Sequence, residues 1–280
     1  MNALEIRDLT KAYPGFTLDH LNLTLPSGCI MGLIGENGAG KSTTIKLILN
    51  MIRKDSGSIT ILGKDNTKDM VLTKEDIGVV MDEVGIPECF TVREVGKVMK
   101  HTFRNWDEGE FRRLVHGLKL PENKQIKDFS RGMKMKLGIA VALSHHAKLL
   151  ILDEATSGLD PVVRDEVVEM FSDFTRDENH SVLISSHIVS DLEKLCDYIA
   201  FLHRGKLLLC EEKDQLLARF GLIHCSPEQL QQLPQGAVRY RKDNLYGVDA
   251  TVLRDAVPAE IPISPISIEE LFVFMVKEGR

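Results

Sequence analysis

Apolar residues in this chain fall into a few recurring patterns. Short continuous runs come first: "CIMGLI" (Cys29 to Ile34), "KLLILD" (Lys148 to Asp153) and "SVLISS" (Ser181 to Ser186). Runs of this kind predict strands buried on both faces. A strict alternation follows the second pattern. In "LNLTLPSG", Leu21, Leu23 and Leu25 share one face, which predicts a strand wet on one side that ends in a Pro-Ser-Gly turn. After Ser42 the spacing changes. Ile45, Ile48, Leu49 and Ile52 recur at helical intervals and predict an amphipathic helix. Buried strands alternating with helices predict an α/β fold with a mostly parallel sheet covered on both faces.

Two stretches depart from that texture. From about 83 to 147 charged helical segments dominate, such as "TVREVGKVMKHTFRN" and "DEGEFRRLVHGL". They predict a helical subdomain inserted into the sheet domain. From about Glu211, Pro227, Pro234, Pro258, Pro262 and Pro265 punctuate short segments, which predicts a small C-terminal α+β extension over 216–280. The division expected is thus 1–215 and 216–280.

Composition narrows the function. A chain of 280 residues, 43% hydrophobic, can bury a large core. Its net charge of -6 argues against a dedicated nucleic-acid binder. No apolar run approaches the roughly 18 residues needed to span a bilayer. The apolar "LFVFMV" (Leu271 to Val276) is short and follows Glu269 and Glu270. The charged, alternating start "MNALEIRDL" does not read as a signal peptide. The five cysteines show no C-x-x-C spacing and read as scattered reduced thiols.

One motif carries specific chemistry. "GENGAGKST" (Gly35 to Thr43) follows the buried strand, opens the amphipathic helix and matches G-x-x-x-x-G-K-[ST]. Gly35, Gly38 and Gly40 let the backbone curl with its N–H groups inward, and Glu36, Asn37 and Ala39 complete the loop. The helix N-terminus favours an anion there. Lys41 reaches the β- and γ-phosphates, and Ser42 can ligate Mg²⁺. A nucleoside-triphosphate site needs an acidic partner at another strand end. Asp153 closes "KLLILD", placed to hold Mg²⁺ through water, and Glu154 follows, placed to orient or deprotonate water.

A third stretch, "DFSRGMKMK" (Asp128 to Lys136), crowds Arg131, Lys134 and Lys136 together just upstream of that acidic pair. With "SGLDP" (Ser157 to Pro161) after the pair, this order resembles the nucleotide-binding subunits of ABC transporters over roughly residues 3–215. The resemblance implies a P-loop ATPase with an N-terminal antiparallel β region. It implies ATP and Mg²⁺ as cofactors, and a head-to-tail pair with a second ATPase subunit, identical or different. It also implies a transmembrane permease partner at the cytoplasmic face of the membrane. In that family a Leu-Ser-Gly-Gly-Gln signature caps a helix and touches the γ-phosphate held by the partner subunit. Here it reads "FSRGM": Ser130 and Gly132 are kept, Arg131 replaces a glycine and Met133 the glutamine. Arg131 is expected to add to the anion-binding end, and Lys134 and Lys136 to form a solvated face.

Other roles follow from the resemblance one position at a time. Tyr13, in "TKAYPGF", matches the aromatic that stacks on adenine, with a turn tyrosine as the alternative. Asp160 matches the loop that crosses the dimer interface, and His187 the histidine that contacts the γ-phosphate. Glu154, His187 and Lys41 are the expected catalytic residues. The family's glutamine loop departs most clearly, because "IGVV" runs into "MDEVG" and puts Asp82 where a glutamine is expected. Asp82 is expected to face the metal, with a solvated loop carboxylate as the alternative. The loop beyond it is expected to dock the permease. These departures, with the C-terminal extension, resemble ATPases of Gram-positive exporters of amphipathic or antimicrobial peptides, including phenol-soluble modulin exporters and bacitracin-type resistance transporters. The rivals are a soluble ABC-type ATPase without a channel and an interaction protein with a dead site. The single cassette, the lack of sustained heptads and the intact Lys41, Asp153, Glu154 and His187 argue against both.

Overall fold

The structure is a computed structural model, and it describes residues 1–69, 73–82, 85–156, 159–244 and 247–278. Its centre is a six-stranded sheet in the order β10-β9-β3-β8-β7-β6. The strands are β3 (Ile30–Gly35), β6 (Ile77–Val80), β7 (Leu149–Asp153), β8 (Ser181–Ser186), β9 (Tyr198–His203) and β10 (Lys206–Glu212). All pair parallel except β10, which returns antiparallel on β9. The three continuous apolar runs are β3, β7 and β8, and β7 and β8 are buried throughout.

Both sheet faces are covered, and alternation divides the strand residues between them. Leu149 and Ile151 join one core with Met31, Leu33 and Leu183. That core is closed by Ile45 and Ile48 of α1 (Lys41–Ile48) and by the inner face of a second, antiparallel sheet. This sheet has the order β2-β1-β4-β5, with β1 (Asn2–Tyr13), β2 (Phe16–Pro26), β4 (Ser56–Ile61) and β5 (Lys64–Asp65). Leu21, Leu23 and Leu25 point inward from β2, as their alternation predicts.

Leu150 and Leu152 point the other way, into a core shared with α4 (Arg131–Leu143), α5 (Pro161–Phe174) and α6 (Val189–Leu195). The region between β6 and β7 is helical. It comprises α2 (Val92–Thr102), α3 (Glu108–Gly117) and α4 around its own apolar cluster, including Phe111, Leu114 and Leu137. Thr91 and Glu94 form a capping box that starts α2, and Asp107 caps α3.

The C-terminal segment adds α7 (Lys213–Arg219), β11 (Phe220–Cys225), α8 (Pro227–Gln231), β12 (Val238–Asn244), β13 (Gly247–Leu253) and α9 (Ile268–Glu278). Its three strands pair antiparallel in the order β11-β13-β12. One face of this small sheet carries its own cluster around Ile223, Ala250 and Val252. The last helix belongs elsewhere. Leu271, Phe272 and Phe274 of α9 pack into the main core with Leu192, Leu195 and Phe201. Phe272 meets Phe201 edge-on at 5.1 Å between ring centres. The apolar "LFVFMV" is therefore a core helix of the large sheet.

All five cysteines are free. Cys196 is buried, and burial pushes its thiol well above the ordinary range. This agrees with the reading of scattered reduced thiols.

The seating of α9 gives a stability prediction. Phe272→Ala removes a ring from the main core and should destabilise the whole chain by about 3 kcal/mol. Thermal unfolding should stay a single transition with a lowered midpoint. A separate early transition, with the main one unshifted, would show that the C-terminal segment folds on its own.

Candidate functional site

Parallel pairing gathers the ends of β3, β7 and β8 at one edge of the sheet. Ile34 lies opposite Ser186, and Asp153 opposite Ser185. The loop 35–40 leaves β3 at that edge and turns into α1. Gly38 and Gly40 adopt left-handed backbone, at φ 81° and 113°, which residues with a Cβ rarely adopt. No side chain caps α1, so its first N–H groups are left for a ligand. A clamp holds the loop from behind. The Gly205 amide, in the turn between β9 and β10, donates to the Ala39 carbonyl at 2.9 Å, and the Gly205 carbonyl accepts from Asp19 at 2.8 Å. A Cβ on Gly205 would lie 1.8 Å from the Thr17 carbonyl oxygen, so this turn requires glycine.

Lys41 is 6% exposed. Its Nζ donates to the Gly35 carbonyl at 2.7 Å and lies 3.3 Å from Glu154 Oε1. The other Glu154 oxygen, Oε2, is 2.7 Å from His187 Nδ1. One carboxylate thus bridges the loop lysine and the histidine that follows β8. Glu154 itself has left-handed backbone at φ 53°, an uncommon conformation for a residue with a long side chain. Two bonds to Ser185 hold it there. The Glu154 amide donates to the Ser185 carbonyl at 3.1 Å and to its Oγ at 3.1 Å. The same hydroxyl donates to Asp153 Oδ1 at 2.6 Å. Asp153 is only 3% exposed, and this hydroxyl partners its buried carboxylate.

Lys41, Glu154 and His187 face a cavity of about 610 Å³, while Asp153 and Ser185 lie behind its wall. Glu36, Asn37, Gly38, Gly40, Lys41, Ser42 and Thr43 line one side, and Glu154 and His187 another. Phe16, Asp82 and Arg131 complete the wall. Gly35 and Ala39 sit behind the loop, where a Cβ on Gly35 would lie 2.9 Å from that of Ala39. Tyr13 ends β1, paired with Phe16 across the turn, and is not part of the cavity wall. Ser130 and Gly132 are not part of it either. Ser130 caps α4, its Oγ accepting from the Met133 amide at 3.2 Å. Asp160 caps α5, accepting from Val163 at 3.1 Å, with Pro161 opening the helix. Its neighbours Ser157 and Gly158, and Glu83 and Val84 after Asp82, lie outside the described residues.

The basic run resolves differently from expectation. Arg131 pairs with Asp82, Lys134 with Glu88 at 2.8 Å and Lys136 with Glu166 at 3.3 Å. Lys134 and Lys136 are 28% and 14% exposed, so neither is a solvated face. Their carboxylate partners lie 30 residues or more away in sequence and bind them along α4. The Lys134 hydrogen bond holds the Glu88 carboxyl below its ordinary value.

The residues fit the triphosphate expected of this motif. The glycine cradle, the uncapped helix start and the buried lysine together make an anion site. Among the described residues, no cluster of three or more acidic, His or Cys side chains is placed to hold a metal. A magnesium ion bound by one or two protein oxygens, phosphates and water needs none.

Sequence reading missed Phe16, Ser185 and Gly205. Ser185 carried a faint signal, since two serines end an otherwise aliphatic buried strand.

Comparison with known proteins agrees with this geometry. The family model described as "ABC transporter" matches residues 18–157. A bacitracin transport ATP-binding protein of Bacillus licheniformis is 39% identical over 210 residues, covering 73% of this chain and 68% of the relative. A lantibiotic transport ATP-binding protein of Streptococcus pyogenes is 38% identical over 215 residues, covering 75% and 91%. An uncharacterized ABC transporter ATP-binding protein of Bacillus subtilis is 30% identical and extends over 98% of this chain. Among solved structures, an ATP-binding subunit of an ABC transporter superposes with a TM-score of 0.67 at 27% identity, covering 76% of this chain and 91% of its own. A dimeric ATP-binding cassette bound to ADP and Pi shares the fold, with a TM-score of 0.66 at 21% identity, over 75% and 98%. The chain belongs to the ABC transporter family as one of its ATP-binding subunits, an ATPase with the P-loop α/β fold.

Proposed function

We propose that this ATPase works at the Lys41–Glu154–His187 cluster, closes head-to-tail with a second ATPase subunit, and powers a separate permease that exports amphipathic or antimicrobial peptides. The observation that carries the reading is the Glu154 carboxylate held between Lys41 and His187 on the wall of the phosphate cavity. The bacitracin and lantibiotic transport relatives support the substrate class. Among the described residues no helix is long and apolar enough to cross a membrane. The chain would then sit at the cytoplasmic face through its permease, docked along the loop beyond Asp82, where Pro87, Glu88 and Cys89 are exposed. In this reading 1–215 is the ATPase domain, with its helical subdomain at about 83–147, and 216–280 is an extension.

The chemistry follows from the groups present. Residues 35–43 would hold the phosphates of ATP through loop amides and Lys41. Tyr13 would stack on adenine, at the same end of the site as Phe16. Ser42 and Asp153 would hold Mg²⁺, with Asp82 beside them. The bound ion supplies positive charge to the transferring phosphoryl oxygens. Glu154 accepts the proton of the attacking water, and His187 fixes the carboxylate and meets the γ-phosphate. Lys41 cannot serve phosphate and Glu154 equally, so nucleotide binding frees the carboxylate for water. Ser130 and Gly132, at the start of α4, would face the γ-phosphate of the partner subunit, and Asp160 would lie at the same interface.

Glu154→Gln should leave ATP binding intact and cut turnover about 100-fold, as expected for loss of a general base. The variant should accumulate as an ATP-bound dimer on size-exclusion chromatography. Full turnover would remove Glu154 from the mechanism.

Ser185→Ala deprives the buried Asp153 carboxylate and the Glu154 amide of a shared partner. Stability should fall by about 1–3 kcal/mol, and turnover should drop with it while nucleotide affinity in the absence of magnesium holds. An unchanged melting point and rate would show that Ser185 does not organise the strand end.

Ser130→Arg should spare nucleotide binding by one subunit yet stop hydrolysis. Mixing it with Lys41→Ala should return activity, because one intact composite site forms per mixed pair. Proven mixed dimers without activity would contradict the arrangement across two subunits.

A further inference from the structure

Two residues at which this chain departs from its family's pattern, Asp82 and Arg131, are bound to each other. The Arg131 guanidinium donates to the Asp82 carboxylate across 49 positions of sequence. Both side chains are about half exposed, and both line the phosphate cavity of their own chain. We infer that Arg131 is a positioning residue that pins Asp82 and thereby ties the wall of the chain's own nucleotide cavity to the first turn of α4.

The surroundings favour a built connection over a chance surface contact. Asp82 lies two residues beyond the end of β6, whose Val80 pairs with Leu152, next to Asp153. Its backbone therefore leaves the sheet at the edge that carries the catalytic carboxylates. Arg131 is the first residue of α4, directly after the Ser130 cap. One helical turn on, Lys134 makes a second ion pair to Glu88, from the same loop. Backbone bonds run alongside. The Lys127 amide donates to the Glu88 carbonyl at 3.0 Å, and the Ile126 amide to the Phe90 carbonyl at 2.9 Å. Glu88 and Phe90 thus form a seam with the segment entering α4, and the Asp82–Arg131 pair joins the same two parts of the chain at the cavity.

Charge explains why the two departures belong together. A glutamine at position 82 would be neutral, whereas an aspartate adds a negative charge beside a site for triphosphate. Arg131 cancels that charge and ties the carboxylate down through a charge-assisted hydrogen bond. A glycine at position 131 could do neither. Nucleotide drawing on either member must therefore shift the other, and with it the start of α4. Where that helix start faces the partner's nucleotide, as proposed above, the pair links the two sites of a dimer; this consequence rests on that reading, while the pinning of Asp82 does not.

The test uses the full chain with Asp82→Asn, Arg131→Gln, Arg131→Lys, the double variant Asp82→Asn/Arg131→Gln and the charge swap Asp82→Arg/Arg131→Asp. Amide hydrogen exchange is read without nucleotide at residues 77–82 and 129–134. An exposed pair of this kind changes such an opening equilibrium by up to about fivefold. Each neutralising single variant should speed exchange about two- to fivefold at both segments, including the one it does not alter. The double variant should be no worse than either single one, and the charge swap and Arg131→Lys should restore protection. In ATPase assays Arg131→Gln should raise KM for ATP more than it lowers kcat, and Arg131→Lys should recover it. Unaltered exchange at 77–82 in Arg131→Gln, or single effects that multiply in the double variant, would overturn the inference. If the unmodified chain binds ATP but Glu154→Gln does not slow it, the catalytic assignment fails separately and the exchange result still decides the pairing.

Discussion

Parallel pairing of β7 with β8, with Asp153 opposite Ser185, sets the geometry of the sheet edge that carries Asp153 and Glu154. It places a buried carboxylate beside a hydroxyl that can satisfy it. The same hydroxyl and its carbonyl then hold the Glu154 amide, so the chain can turn through a left-handed backbone immediately after a buried strand. That turn brings the Glu154 side chain up against Lys41 and His187. Removing the pairing would leave Asp153 unsatisfied in an apolar core and Glu154 without its support.

A second set of contacts works at longer range. Three cations along α4 reach carboxylates at 82, 88 and 166. Individually such pairs contribute little, on the order of 0–1 kcal/mol each. Their effect is geometric. They fix a helix that is packed on the sheet through Met135, Ile139 and Ala142 but whose first turn stands at the edge of the phosphate cavity. The Gly205 turn does the equivalent for the phosphate loop, holding Ala39 outside the cavity wall.

Much of the fold was legible because burial on both faces leaves a plain record. "CIMGLI", "KLLILD" and "SVLISS" could only be interior strands, and they are β3, β7 and β8. The phosphate loop was legible because its glycines answer to backbone geometry that no other residue supplies. What stayed hidden were contacts between distant parts of the chain. The charge run "SRGMKMK" gives no hint of which carboxylates will meet it, since ion-pair partners have no sequence period. Lys134 and Lys136 therefore read as solvent-facing when they are tied. Phe16 and Gly205 matter through surfaces that only the folded chain brings together. "LFVFMV" was plainly too short to span a membrane, but nothing local says that α9 returns to the main sheet core.

The Lys41–Glu154 contact, proposed to give way to nucleotide, is open to direct observation. A high-resolution structure of the chain with Mg²⁺ and a non-hydrolysable ATP analogue would show the exchange. Lys41 Nζ should leave Glu154 and bind a phosphate oxygen at about 2.8 Å, with the freed carboxylate in reach of a water beside the γ-phosphate. Phosphates lodged elsewhere, or a Lys41–Glu154 contact that persists with nucleotide bound, would contradict it.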